Sequence, residues 1–494
     1  MRGETSVILL AWISRHLINE TYKRIFFHEN AILELNKDYF STKYYNTATI
    51  LSYAASRRKP ECSPRLRNPR LAAPIGPNGY GGGQVNPDRR HIVIAGAGHA
   101  GGSAAAMLRQ LGWTGSITLV GEEPLPPYQR PPLSKAWLKG EATAESLALR
   151  PAKFYPDATI DLRLNTSVTK IDRAAKTVSL SDGGTLSYDS LILALGARAR
   201  RLPIPGMELD GILELRSAAD ADRLKSVLHP GAKLAVIGGG YIGLEASASA
   251  RALGAEVTIV ERESRVLARV ACPILSDFFQ SFHRAQGVKI EVDAQVAALE
   301  GADGHVTGVR LGDGRLIPCD AALVGVGAVA NDELARAAGL TCLNGIVVDL
   351  AAVTDDPAIF AIGDCTSRPL PLYDRMGRLE SVPNALEQAK QAVSLICGKP
   401  PPTPEVPWFW SDQYDLRLQI AGMPFDATEI VIRGDVTAGK FALFHLTEDG
   451  TVQAVEAVNA ATEFMGGRRI IAKRKRLTRA RIEDMSVSMQ ELAA

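Results

Sequence analysis

The strongest constraint in this chain is a glycine-rich motif that occurs twice, about 140 residues apart. The first glycine motif spans residues 96–101 and the second spans residues 238–243, both with the spacing G-x-G-x-x-G. Each follows a short apolar run rich in β-branched residues and opens a stretch with helical spacing. One such motif is weak evidence, but two in the same strand–turn–helix context predict two dinucleotide sites on one polypeptide.

The glycines of each motif have separate roles. The first allows a tight turn, the second lets the backbone approach a pyrophosphate, and the third brings the helix close to the strand. The predicted phosphate-binding residues are therefore Gly96, Gly98 and Gly101 in one turn and Gly238, Gly240 and Gly243 in the other. Two bound dinucleotides are the minimum for passing a hydride between cofactors, which favours a flavoprotein oxidoreductase.

An acidic residue about 20 positions after the first glycine is expected to bind ribose hydroxyls. Glu261 ends the apolar run 257–260 after the second motif. A carboxylate there binds the ribose of NAD and repels a 2′-phosphate, which favours NADH over NADPH, although Arg262 and Arg265 weaken this preference. After the first motif the strand ends at Gly121, so the ribose contact shifts to Glu122 or its neighbour.

The order of apolar runs predicts an α/β fold with parallel sheets and crossover helices. The order strand, glycine turn, helix, strand covers residues 91–120 and recurs in 234–260. A third apolar run, 358–364, ends in Asp364, which is placed to bind a flavin ribityl hydroxyl or is simply part of a turn. From about residue 406 the pattern changes to a separate α+β unit.

Composition excludes several classes of protein. A formal net charge of +2 over 494 residues argues against a nucleic-acid binder. No window of eighteen residues is uninterruptedly apolar, so no membrane span is predicted. Six cysteines without paired spacing predict neither a metal site nor a redox dithiol, and reduced thiols favour a cytoplasmic location. Residues 1–88, rich in Arg, Pro and Gly toward their end, are predicted to be a poorly ordered extension.

Six further motifs occur in a specific order. They are residues 127–135 (PYQRPPLSK), 193–198 (LALGAR), 238–245 (GGGYIGLE), 361–365 (AIGDC), 380–389 (ESVPNALEQA) and 406–413 (VPWFWSDQ). With these motifs, the chain from about 91 to 477 resembles the FAD-dependent NAD(P)H:ferredoxin reductases of bacterial oxygenase systems. That family includes the reductases of putidaredoxin, rhodocoxin and rubredoxin.

The resemblance implies a glutathione-reductase-like flavoprotein with two Rossmann-like domains and a C-terminal α+β domain. It implies an FAD domain over 89–205 and 326–405, an NAD domain over 206–325 and a C-terminal domain over 406–494. The resemblance also implies that Lys135 and Glu245 are the catalytic pair. The implied FAD-binding residues are Gly96, Gly98, Gly101, Glu122, Arg130, Lys135, Ala194, Gly196, Asp364, Val382 and Trp410, and the NAD-binding residues are Gly238, Gly240, Gly243 and Glu261.

The implied function is electron transfer from NADH through FAD to an acidic, transiently bound 2Fe-2S ferredoxin. The ferredoxin would feed a monooxygenase or a ring-hydroxylating dioxygenase. Trp408 and Trp410 are either part of the flavin and ferredoxin surface or core residues. The basic tail 468–481 is either a docking surface or a solvated face. The alternatives are a rubredoxin, nitrite-reductase or quinone reductase, or a flavoprotein of the apoptosis-inducing-factor type with vestigial turnover. The oligomeric state stays open.

Overall fold

The structure is a computed structural model that describes residues 88–494. The extension predicted for residues 1–88 lies outside the described residues except for Asp88. The β-strands of the described part are, in chain order, β1 His91–Ala95, β2 Ser116–Val120, β3 Ile160–Arg163, β4 Val168–Asp172, β5 Thr177–Leu180, β6 Thr185–Ser187, β7 Ser190–Leu193, β8 Ala197–Ala199, β9 Ile212–Leu213, β10 Lys233–Ile237, β11 Glu256–Val260, β12 Lys289–Glu291, β13 Val296–Ala302, β14 His305–Leu311, β15 Leu316–Pro318, β16 Ala321–Val324, β17 Ala328–Ala330, β18 Ile346–Val347, β19 Ile359–Ala361, β20 Thr366–Leu370, β21 Arg375–Gly377, β22 Trp408–Gln413, β23 Leu416–Gly422, β24 Glu429–Asp435, β25 Lys440–Leu446 and β26 Val452–Val458.

The helices of the same part alternate with these strands. They are α1 His99–Gln110, α2 Ala144–Leu147, α3 Phe154–Asp157, α4 Ala218–Val227, α5 Tyr241–Ala252, α6 Pro273–Ala285, α7 Glu333–Ala337, α8 Val382–Ile396, α9 Ala461–Ala472, α10 Arg479–Glu483 and α11 Met489–Ala493, with 3₁₀ turns at Pro131–Ser134 and Gly363–Cys365. None of these helices combines the length and apolar character that crossing a bilayer requires.

The first glycine motif belongs to a parallel five-stranded sheet, the first sheet, with the order β19-β7-β1-β2-β3. Its central strand β1 is a continuous apolar run because both faces of the sheet are covered. On one face, Leu108 of α1 and Ala389 of α8 share a core. On the other face, Val178 and Leu180 of the antiparallel β4-β5-β6 ribbon cover the sheet.

The second glycine motif belongs to a second parallel sheet with the order β12-β11-β10-β16-β9. The predicted repeat of strand, glycine turn, helix and strand is confirmed by β10, α5 and β11. The chain builds this sheet and then returns to the first sheet, where β19 pairs with β7. That chain path is the one a discontinuous domain requires, although the predicted domain limits stay predictions.

The C-terminal sheet is antiparallel, with the order β22-β23-β26-β25-β24, and α9 to α11 follow it in the chain. Phe444 of β25 and Val455 of β26 share a core with Phe464 and Ile470 of α9. The predicted C-terminal α+β unit is confirmed, and its first strand begins at Trp408. The predicted boundary near residue 406 stays a prediction. The opposite face of the sheet packs against the second sheet's helices, with Leu418 and Phe279 in one core.

Candidate functional site

Both glycine motifs open onto one shared cavity of about 1170 Å³. The cavity lies at the carboxyl ends of the parallel strands, where sheets of this kind bind ligands. Its volume exceeds the roughly 300–1,000 Å³ of ordinary small-molecule pockets, so it has room for more than one ligand. All of the predicted site residues line it except Gly101, Gly238 and Gly243.

The three exceptions are close-packed beneath the cavity. A Cβ added at Gly101 would lie 1.9 Å from the Gly96 carbonyl oxygen, and one added at Gly243 would lie 2.2 Å from that of Gly238. Gly238 itself has φ +105° and would place a Cβ 2.5 Å from the Gly325 oxygen. Gly101 and Gly243 therefore let the helix approach the strand, and Gly238 allows the tight turn beside Gly325.

The second glycine of each motif faces open space. A Cβ added at Gly98 or Gly240 would meet no atom within 4 Å. These two residues are also the N-caps of α1 and α5, and neither helix has a side-chain cap. The first backbone N–H groups of both helices are therefore free to bind an anion, which is the donor set that a dinucleotide pyrophosphate requires.

Lys135 and Glu245 form the central ion pair of the site. Lys135 Nζ lies 2.5 Å from Glu245 Oε2, and Glu245 is 4% exposed. The same carboxylate accepts hydrogen bonds from Ser134 Oγ and Ser411 Oγ, both at 2.6 Å. Since a buried carboxylate is stable only when its oxygens are paired, these donors hold together α5, the 3₁₀ turn Pro131–Ser134 and β22. The predicted pair is therefore in contact, and Ser411 is a further partner that no sequence pattern indicated.

Arg130 is fixed at the edge of the cavity by a second network. Its guanidinium donates to Glu123 Oε1 and to the Arg216 carbonyl oxygen, both at 2.5 Å. Burial raises the pKa of Tyr128 well above its ordinary value, so the phenol stays protonated and donates to Glu123 Oε2 at 2.6 Å. Glu123 therefore orients Arg130, while its neighbour Glu122 is exposed and lines the cavity.

Asp364 lies in the 3₁₀ turn that follows β19, where it accepts a hydrogen bond from Arg216 Nη2 at 2.9 Å. His99, inside the first motif, also lines the cavity, and its Nδ1 has no hydrogen-bonding partner among residues 88–494. Burial lowers the pKa of His99, while the Asp364 carboxylate opposes that shift. Neither His99 nor Arg216 was among the predicted site residues. The motif pattern specifies only glycines, and Arg216 is 148 positions from its partner.

Glu261 supports the second motif directly. Its Oε2 accepts the Gly239 backbone N–H at 2.7 Å and its Oε1 accepts that of Glu263 at 2.9 Å. Arg262 and Arg265, which weakened the preference for NADH, do not line the cavity. Arg262 pairs with Glu263, and Arg265 donates to the Ala268 and Ala271 carbonyl oxygens. Arg269, which sequence reasoning passed over, does line the cavity.

The remaining predicted residues come from three loops and strands. Ala194 and Gly196 follow β7, Val382 begins α8, and Trp410 lies on β22. The neighbouring Trp408 does not line the cavity. Its ring lies 5.5 Å from that of Phe464 and 5.3 Å from the Arg468 guanidinium. Of the two tryptophans, Trp408 therefore fits the core alternative, and Trp410 lines the cavity.

Most cations of the basic tail already have partners in the structure. Arg468 pairs with Glu405, Arg476 with Asp449, and Arg479 with Glu429 and Glu483. Lys473 and Lys475 donate to carbonyl oxygens of α11. The ion pairs of Arg468, Arg476 and Arg479 offset part of the positive charge that the tail presents to an acidic partner, which favours the solvated-face alternative.

Comparisons with known proteins agree with this geometry. Residues 90–389 match the family described as pyridine nucleotide-disulphide oxidoreductase, and residues 408–493 match the one described as reductase C-terminal. The chain is 52% identical to the probable ferredoxin reductase CtmF of Castellaniella defragrans, over 83% of this chain and 100% of that protein. It is 44% identical to rhodocoxin reductase of Rhodococcus erythropolis, over 81% of this chain and 93% of that protein.

A solved structure of a covalent putidaredoxin reductase–putidaredoxin complex is also similar. The match has a TM-score of 0.79 and 42% sequence identity, and it covers 82% of this chain and 98% of the matched one.

Proposed function

Because the chain belongs to the pyridine nucleotide-disulphide oxidoreductase family, among its ferredoxin reductases, we propose that it passes electrons from NADH through FAD to a 2Fe-2S ferredoxin. The ferredoxin would serve a monooxygenase or a ring-hydroxylating dioxygenase. The observation that carries this proposal is the single cavity that both glycine motifs line. The family and the two-dinucleotide fold that the motifs predict are confirmed.

The first sheet is the proposed site of FAD. The open backbone beside Gly98 and the uncapped N-terminus of α1 fit a pyrophosphate, and Asp364 is a hydrogen-bond acceptor for a ribityl hydroxyl. Arg130 and Lys135 supply two fixed cations on the cavity wall. The full proposed set is Gly96, Gly98, Gly101, Glu122, Arg130, Lys135, Ala194, Gly196, Asp364, Val382 and Trp410.

The second sheet is the proposed site of NADH, through Gly238, Gly240, Gly243 and Glu261. Glu261 lines the cavity with a carboxylate whose oxygens are already oriented by two backbone N–H groups. Such a carboxylate accepts hydrogen bonds from ribose hydroxyls and repels a 2′-phosphate. Arg269 lines the same cavity and carries a positive charge that could offset this repulsion, which would limit the preference for NADH over NADPH.

When FAD is bound, its chemistry couples two-electron transfer from a hydride donor to one-electron transfer to an iron–sulfur acceptor. The protein's part is orientation and electrostatics. Glu245 holds the Lys135 ammonium group at the cavity wall, and Glu123 does the same for Arg130. Both carboxylates are themselves held by hydroxyl donors, which fixes the positions of the two cations.

The partner and location belong to the same proposal. A transient complex with an acidic ferredoxin fits a reductase whose relatives are named for their ferredoxins. A cytoplasmic location fits the unpaired state of Cys272, Cys319, Cys342, Cys365 and Cys397.

The experiment is anaerobic stopped-flow reduction of the purified protein by NADH and by NADPH, with absorbance followed at the flavin bands. We expect bound FAD, faster reduction by NADH, and cytochrome c reduction that depends on added ferredoxin. A colourless protein that takes up no FAD would overturn the proposal, as would ferredoxin-independent turnover.

Lys135→Ala tests the role of the ion pair, and we expect at least a tenfold slower reduction by NADH. Lys139→Ala is the matched control, because Lys139 lies in the same segment but pairs with exposed Glu141 and does not line the cavity. Equal rates for the two variants would remove Lys135 from the mechanism.

A further inference from the structure

A separate polar cluster lies in the core between α6 and the C-terminal sheet. Cys272 immediately precedes α6, His445 lies on β25 and Glu456 lies on β26. The three residues are 7%, 3% and 1% exposed, and their potential ligand atoms lie within 4.8 Å of one another. None of them lines the shared cavity, so the cluster has no part in the function proposed above.

The sheet register places His445 and Glu456 side by side. His445 is opposite Ala454 and Glu456 is opposite Leu443, so the two residues are diagonal neighbours on one face of the antiparallel pair. Glu456 is also opposite Ile420 on its other side. Leu443 and Ile420 belong to the apolar core around α6, so the polar groups are enclosed by apolar side chains.

The cluster is not satisfied by its own hydrogen bonds. Glu456 Oε1 accepts the Cys272 backbone N–H at 3.2 Å. Glu456 Oε2 and His445 Nε2 lie 3.3 Å apart, but without hydrogen-bond geometry, and neither atom has another partner in the described part of the chain. Buried polar atoms without partners are rare in native proteins, and an ionised carboxylate in the core is stable only when its charge is paired.

We propose that Cys272, His445 and Glu456 bind a Zn²⁺ ion. Thiolate, imidazole and carboxylate are the ligand types that zinc takes. Nitrogen and oxygen ligands about 2.0–2.1 Å from a tetrahedral zinc ion lie about 3.3 Å apart, which matches the observed separation of Nε2 and Oε2. Binding would release the thiol proton and leave a fourth coordination position for water.

Such an ion would join two regions of the molecule. Cys272 lies in the segment 90–389, and His445 and Glu456 lie in the segment 408–493. The cysteine spacing predicted no metal site because the three ligands come from separate parts of the chain, with no local pattern.

The test is the metal content of the full-length holoprotein, produced with zinc in the medium and dialysed against metal-free buffer. Plasma mass spectrometry should give about one zinc per chain. Cys272→Ser and His445→Gln should each lose most of that zinc. Cys319→Ser should keep it, because Cys319 is equally buried but lies outside the cluster.

A zinc chelator should lower the melting temperature of the wild type and leave that of Cys272→Ser unchanged. Wild-type protein without zinc, even after incubation with ZnCl₂, would overturn the proposal in favour of a metal-free His445–Glu456 ion pair. Zinc retained equally by Cys272→Ser and Cys319→Ser would also overturn it, because the metal would then be bound elsewhere. If Cys272→Ser does not fold, the zinc content of His445→Gln decides between these outcomes.

Discussion

The sheets that carry the two glycine motifs follow the same chain path but use their polar residues differently. In the first sheet, Glu122 is exposed at the cavity and makes no hydrogen bond within the described residues. In the second sheet, Glu261 is held by two backbone N–H groups. The helices differ as well, since α5 carries the buried Glu245 where α1 has Ser103 at the equivalent position. The same strand–turn–helix backbone therefore carries different polar side chains in the two sheets. Glu245, on the helix of the second sheet, orients Lys135, which is assigned to the site of the first.

The largest expected difference between the two helices is in stability. Glu245→Ala should lower the free energy of unfolding by about 3–5 kcal/mol, because it leaves Lys135 unpaired and removes the acceptor for two serine hydroxyls. Ser103→Ala should change it by less than about 0.5 kcal/mol. Urea unfolding followed by circular dichroism measures both. Similar losses of unfolding free energy for the two variants would show that positions 103 and 245 contribute equally to stability, against this expectation.

The next largest effect is the pH dependence of stability that we expect from His283, which lies between the second sheet and the C-terminal sheet. His283 of α6 is fully buried, its Nε2 lies 2.8 Å from Gln413 Oε1, and burial lowers its pKa to about 4. Below the ordinary histidine pKa of about 6.5, the unfolded chain binds a proton that the folded protein excludes. Stability should therefore fall as pH falls from about 6.5 to about 4, by about 3 kcal/mol in total.

The measurement is urea unfolding at several pH values for the wild type and for His283→Gln. The difference in unfolding free energy between the two proteins should narrow or reverse toward acid pH. Two parallel curves would show that His283 does not contribute to the pH dependence.

The first glycine of each motif should affect the binding of a different cofactor. Gly96 and Gly238 both have positive φ and would place a Cβ against a backbone oxygen, so either Ala substitution should cost about 2 kcal/mol of stability. We expect Gly96→Ala to lose FAD, measured as flavin per chain. Gly238→Ala should keep FAD and raise the KM for NADH.

Gly98→Ala and Gly240→Ala are the controls for these variants, because both positions have negative φ and open space beside them. Neither variant should change the unfolding free energy. Gly98→Ala should weaken the binding of FAD, and Gly240→Ala should weaken the binding of NADH. Loss of both cofactors in all four variants would contradict the assignment of one motif to each.

How far the sequence predicts this molecule depends on whether a feature is local. The strands His91–Ala95 and Lys233–Ile237 could be predicted because buried parallel strands are continuous apolar runs followed by glycine turns. The contacts between Arg216 and Asp364, or between Ser411 and Glu245, could not. They join residues more than 140 positions apart through side chains that have no local pattern.

The basic tail shows a case in which a local pattern leaves two alternatives open and distant residues decide between them. Its arginines form one run in the sequence, but their acidic partners lie elsewhere: Asp449 in the turn between β25 and β26, and Glu429 at the start of β24. The Lys135–Glu245 pair could be predicted only through family resemblance, since 110 positions separate the two residues.

The smallest expected effect concerns the two carboxylates with which the comparison began. Glu261→Gln removes the charge that accepts two backbone N–H groups, and a charge-assisted hydrogen bond contributes about 1.5–3 kcal/mol. We therefore expect the KM for NADH to rise about tenfold and the preference over NADPH to fall. Glu122→Gln should change the dissociation constant for FAD less than about threefold, because Glu122 orders no part of its own turn. Steady-state kinetics with both nucleotides and flavin titration of the apoprotein give the two numbers. A larger fold-change for Glu122→Gln than for Glu261→Gln would contradict this expectation. It would show that a carboxylate without hydrogen bonds to the protein contributes more to binding than one that is bonded to the backbone of the motif.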